Sequence, residues 1–125
     1  MATFSPAELE YLTGERRLGR LATADASGLP HVVPVGWRYN PDTGTIDVSG
    51  RNFAASKKFR NVLANPRAAF VVDDLASTNP WHPRSVMVQG RAEAILPPES
   101  GDEAMIRITP DKISSWGLEA DAGGG

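Results

Sequence analysis

An all-β fold with short helices is the class that this 125-residue sequence predicts. Three observations predict it. Short apolar runs recur at hairpin intervals along the chain. Ten prolines and twelve glycines supply the turns between them. The clearest periodicity, in residues 45–49 and 85–96, alternates apolar with polar. Counting the runs gives about six strands, and a barrel with a helix inserted between the third and fourth fits the order. A chain of this length makes one domain with one core. That domain is expected over residues 1–118, with residues 119–125 (EADAGGG) as a flexible tail.

The elements follow in order. SPAELEYL opens a helix: Ser5 caps it, Pro6 suits the first helical position, and Glu8 completes a capping box. Leu18, Leu21 and Thr23 belong to a first strand that ends at Ser27-Gly28. Residues 31–39 form a second strand, with Pro34 requiring an edge or a bulge. Residues 40–44 (NPDTG) are a turn. In the third strand, residues 45–49, Ile46 and Val48 share one face, and Thr45, Asp47 and Ser49 the other. A helix over residues 53–64 follows, capped by Asn52, with Ala55, Phe59, Val62 and Leu63 as its apolar face. Asn65-Pro66 stops it. Residues 68–74 (AAFVVDD) are a buried strand, and the proline-bearing residues 75–84 (LASTNPWHPR) a polar loop. In residues 85–96, Val86, Val88 and Gly90 alternate with Met87, Gln89 and Arg91. A loop (97–104), a last strand and a following segment (105–118) complete the domain.

Composition narrows the function. A net charge of −2 gives no general attraction to nucleic acid or anionic lipid. With no cysteine, disulfides, thiolate catalysis and Cys-held metals are excluded. No apolar run is long enough for a membrane helix, and MATFSPAELE is not patterned as a signal peptide, so a cytoplasmic location is the default.

One stretch departs from the overall acidity. Residues 50–72 (GRNFAASKKFRNVLANPRAAFVV) hold five of the 13 Lys and Arg residues and none of the 15 Asp and Glu. Lys57 and Lys58 fall near a helix start, where the dipole disfavours cations unless an anion arrives. Unpaired backbone N–H groups at that end suit a phosphate, and Gly50 lets a ligand approach the backbone. The plain alternative is a solvated basic face. Asp73-Asp74 is read as a strand-end pair that bonds loop amides or an arginine rather than a catalytic dyad. His31 is expected at a solvated strand start; His82, in the NPWHPR loop, could reach substrate as a proton donor, the lesser of its readings. Trp37 and Trp116 suit core or interface; Trp81, between prolines, is the least core-like tryptophan.

The ordered pieces RRLGRLATADASGLPHVVPVGWRY, TIDVSG, SKKFRNVLANPRAAFVVDD and VMVQGRAEAI resemble the flavin and deazaflavin oxidoreductases related to pyridoxamine 5'-phosphate oxidase. VVDDLAS, NPWHPR and IRITPDKISSWGL are similar to the branch using coenzyme F420, in particular to reductases of tetracycline-type biosynthesis. The resemblance implies a split β-barrel and a homodimer with coenzyme at the interface. It implies that Pro34, Val35, Gly36 and Trp37 lie beside the tricyclic ring. Ser49, Gly50, Arg51 and Asn52 would line the ring and its ribityl chain. Ser56, Lys57, Lys58 and Asn61 would hold the phosphate, and the other subunit would add Trp81 and Arg84. The implied coenzyme is F420, whose acidic tail suits extra cations such as Arg51, Arg60 and Arg84; FMN is the alternative. One departure is that no basic segment follows Trp116. The implied activity is hydride transfer from the reduced deazaflavin to an electron-poor organic substrate; the alternatives are an FMN-binding oxidase or reductase of the same fold and a flavin- or haem-binding protein without turnover.

Overall fold

The computed structural model describes residues 1–118. The tail expected at 119–125 lies outside the described residues. Helix α1 (Pro6–Thr13) starts as expected: the Ser5 hydroxyl accepts from Glu8 N at 3.2 Å and Glu8 Oε1 accepts from Ser5 N at 2.8 Å. Seven strands follow, one more than the sequence suggested. They are β1 (Gly19–Ala24), β2 (Pro30–Val35), β3 (Trp37–Asn40), β4 (Thr45–Ser49), β5 (Arg67–Thr78), β6 (Trp81–Ile95) and β7 (Met105–Trp116). Between β4 and β5 lie a 3-10 turn, Phe53–Ala55, and helix α2 (Lys57–Ala64).

All neighbouring strands are antiparallel, in the order β2-β1-β5-β6-β7-β4-β3. The two outermost strands are joined through Gly36 alone. The expected second strand is therefore one chain run that leaves β1 and joins β4, and the sheet curls round into a split barrel. Pro34 sits opposite Arg20 in the outermost strand β2, where its missing N–H interrupts no ladder.

Two further expectations are corrected. Residues 75–84 are not a loop. They extend β5 and β6 into a long hairpin with a register shift between Leu75 and Ser77, turning at Asn79-Pro80. Polar side chains and prolines hid it, because an arm with solvent on both sides shows no apolar alternation. The expected helix over 53–64 is also broken. Asn52 adopts left-handed backbone (φ 52°) and caps nothing, and Ser56 caps α2 instead. On α2, Phe59, Asn61 and Val62 are buried, whereas Leu63 is exposed.

The core follows from alternation. Leu21, Ile46, Val48, Phe70, Val72, Val86, Val88, Ile106 and Ile108 point inward from five strands and are almost completely buried. Each contributes about 1.5–3 kcal/mol relative to exposure. Phe70 packs edge-on to Trp37 at 5.3 Å. A side chain at Gly19 would collide with both rings, so that glycine permits their packing.

Candidate coenzyme site

The chain leaves β4 at Ser49 and runs through Gly50, Arg51 and Asn52 to the start of α2. A Cβ at Gly50 would meet only Phe53, at an ordinary 3.6 Å, and at Gly36 nothing within 4 Å. Space therefore lies open beside both backbones. Lys57 and Lys58 are the first two residues of α2. Their N–H groups precede the first intrahelical acceptor. The Ser56 hydroxyl donates to Phe53 O at 2.6 Å and accepts from Phe59 N at 3.3 Å, so it serves only one donor of this turn. The Lys58 ammonium lies 5.0 Å from the Phe53 ring centre, and Arg60 donates to Ala55 O at 2.8 Å. Among the described residues, none of Arg51, Lys57, Lys58 and Arg60 makes an ion pair.

The other expected residues are placed as follows. Val35 is buried in the core, and Trp37 Nε1 donates to Arg17 O at 2.8 Å, so these two side chains serve the barrel. Pro34 and the Gly36 backbone face outward. Gly36, Trp37 and Ser49 come together around a cleft of about 280 Å³ that Arg16 and Arg38 also border. Gly50 and Asn52 border a second cleft, of about 390 Å³, that Asp102 and Glu103 also line. Asn61 is buried beneath α2, donating to Thr23 Oγ1 at 3.1 Å. Trp81 is 70% exposed at the hairpin tip. His82 Nε2 lies 2.9 Å from Gly117 O, bound within its own chain. His31, expected at a solvated strand start, has a buried Nδ1 without a partner.

Arg84 is the clearest departure, because its guanidinium is already taken. Asp74 accepts from Arg84 Nε at 2.9 Å, from Arg17 Nε at 3.0 Å and from the Tyr11 hydroxyl at 2.9 Å. Asp73 accepts from Arg20 at 3.0 Å. The acidic pair thus binds arginines, as the sequence suggested. The Arg84 hydrogen bond, with help from Arg17 and Tyr11, outweighs desolvation and lowers the Asp74 carboxyl to about 2. Burial first, then the bond to Asp74, raises the Tyr11 phenol. A second network was not foreseen. Asp47 is buried and accepts from Asn40, Thr45 and Arg107 at 2.9, 2.8 and 3.1 Å. Burial alone would raise its carboxyl, but these donors together hold it below the ordinary value. Alternation had placed Asp47 on the face opposite Ile46 and Val48, and only the partner across the β4–β7 ladder shows why it is covered.

The curled split barrel thus leaves open backbone at Gly36 and Gly50 and a cationic helix start on the same chain. Residues 5–123 match the family of pyridoxamine 5'-phosphate oxidase, and the chain belongs to that family. It is 44% identical over 124 residues to a 5a,11a-dehydrotetracycline/5a,11a-dehydrooxytetracycline reductase of Streptomyces rimosus, covering 94% of this chain and 86% of that one. Among solved structures it resembles an FAD-binding protein of Mesorhizobium loti (TM-score 0.69, 24% identity, 91% and 93% of the two chains). It also resembles an F420 reductase (TM-score 0.64, 21% identity, 84% and 94%). At those identities the structures speak for the fold.

Proposed function

We propose that this chain is a reductase that works with coenzyme F420, its ribityl phosphate seated at the start of α2. One observation carries the reading: Arg51, Lys57 and Lys58 surround a helix start and, among the described residues, make no ion pair. Cations at the positive end of a helix dipole cost stability unless an anion joins them. The residues present fit such a group, because Gly36 and Gly50 leave room beside the backbone for a planar ring. When bound, the reduced deazaflavin supplies a hydride for an electron-poor carbon. The chain's own part is to hold and orient. Lys57, Lys58 and the N–H groups of α2 fix the phosphate, Ser49 to Asn52 line its approach, and the backbone at Gly36 faces the ring. The relative from Streptomyces supports a conjugated, oxygen-rich polycyclic acceptor as substrate.

A homodimer completes the proposal. Val32, Leu75, Trp81 and Trp116 are 64%, 41%, 70% and 68% exposed, an apolar cost that a second copy would remove. In that arrangement Trp81 reaches the other subunit's ring, and Arg84, held by Asp74, fixes the arm that carries it. A stable monomer that binds coenzyme, seen by light scattering, would contradict this. Titration of the purified protein with F420 and with FMN separates the coenzymes. Micromolar F420 affinity without FMN binding is expected, and the reverse result overturns the deazaflavin assignment. Oxidation of reduced F420 is then followed with dehydrotetracycline, enone and quinone acceptors.

A further inference from the structure

The five cations of residues 50–72 do not stay together. Arg67 lies beyond the far end of α2, at the first position of β5. There it stands directly opposite Arg91 of β6. Like charges in cross-strand register repel, yet neither arginine has an ion-pair partner among the described residues. Lys112 of β7 stands opposite Gln89, two residues from Arg91 and on the same face. The three cations line one concavity of about 730 Å³ on the outside of the barrel. Ala22, Ala24 and Ala69 also line it, and their small side chains leave room above the sheet. A register shift beside Gly90 shapes its edge: Gln89 pairs with Lys112 and Gly90 with Pro110, so Asp111 is the extra residue. Any side chain at Gly90 would collide with the Thr109 carbonyl, so this bend is fixed. Asp111 is the only carboxylate among the residues lining it, and it forms no ion pair with the three cations.

We propose that this concavity is a second anion site, in which Arg67, Arg91 and Lys112 take a small molecule carrying two carboxylate or phosphate groups. The register that makes Arg67 and Arg91 repel each other makes them a two-point clamp. Each guanidinium offers a planar pair of donors to one oxyanion. Lys112 adds a third charge from the neighbouring strand. This inference is independent of the coenzyme reading, since it uses neither Lys57 nor Lys58.

Calorimetric titration with pyrophosphate and with citrate tests it, in wild-type protein and in a variant joining Arg67→Gln with Arg91→Gln. One equivalent should bind at the concavity of the wild type, besides any held at the α2 start, and the variant should bind it there at least tenfold more weakly while keeping its coenzyme affinity. Which probe binds more tightly distinguishes phosphate from carboxylate as the natural group. Without anion, Arg91→Gln alone should melt no lower than wild type, because a repulsion is relieved. Anion affinity that is equal in wild type and variant overturns the proposal. So does loss of anion binding only in a Lys57→Ala, Lys58→Ala protein, which would place the anion at the α2 start. A double variant that changes oligomeric state without changing anion affinity also overturns it, and assigns the patch to contact between copies. If the double variant fails to fold, Lys112→Gln serves, with a salt-sensitive weakening of several-fold expected.

Discussion

Two of the clusters of positive charge in this molecule, at Asp74 and at the start of α2, are built in opposite ways. Around Asp74, Arg17 and Arg84 converge on one carboxylate, with Tyr11 donating to the same group and the Arg17 guanidinium stacked 4.1 Å from the Tyr11 ring centre. Those cations are spent on the fold, tying α1 to the base of the β5–β6 hairpin. At the start of α2, Arg51, Lys57 and Lys58 make no ion pair among the described residues. The difference teaches how to sort basic residues: a cation matched by a nearby acid stabilises the protein, and one left unmatched at a helix start awaits something from outside. Arg84 shows the value of the distinction. By sequence it belonged with the coenzyme ligands, and by geometry it belongs with the paired group.

The comparison is broken most severely by removing its anchor. Asp74→Ala strands two arginines and a phenol in a partly buried place, and should cost about 3 kcal/mol. The melting temperature should fall by roughly 10 °C, with the phosphate affinity of the α2 start nearly unchanged. An unaltered melting temperature would mean that the cluster is ornamental. The converse change, Lys57→Ala with Lys58→Ala, should weaken coenzyme binding by about 1.5–3 kcal/mol, roughly ten- to a hundredfold, while the fold survives. Unchanged affinity in fluorescence titration would remove the assigned seat.

Acid offers a finer test. The Asp74 carboxyl is lowered to about 2 in the folded chain, from an ordinary value near ~4. The unfolded chain therefore takes up this proton first as pH falls. The stabilisation is fully present above pH ~4 and is lost as pH falls towards about 2, by up to ~2 kcal/mol. Urea unfolding across that window should show the loss in wild type and a shallower slope in Asp74→Ala. Equal slopes would assign the acid sensitivity to other groups. The smallest effect is on the lysine variant without coenzyme. Freed of cations at its positive end, α2 should gain a few tenths of a kcal/mol; a clear loss would show that the ammonium groups have partners within the protein.

Much of this was legible because it is local. The Ser5 cap with Glu8 needs four consecutive residues, and the inward sets Ile46 and Val48, or Val86 and Val88, need only a period of two. The adjacency of Lys57 and Lys58 to a helix start, and the appetite of Asp73 and Asp74 for arginine, were equally visible. What was hidden depends on partners far along the chain. Leu63 fits the apolar face of α2 by spacing, yet Asn61 is buried instead, because Thr23 of β1 accepts its hydrogen bond. Asp47 is covered because Arg107, sixty residues later, lies beside it.

By itself, then, the sequence determined the capped start of α1, the inward faces of the regular strands and a run of cations without nearby acids in sequence, since each is written in residues a few positions apart. Only the tertiary structure decided which cations remain unmatched, that Gly36 carries one chain run from β1 to β4, and that Arg67 leaves its sequence neighbours to face Arg91. Charges and strands are matched across space, and pairing distance in a folded barrel bears no fixed relation to distance along the chain.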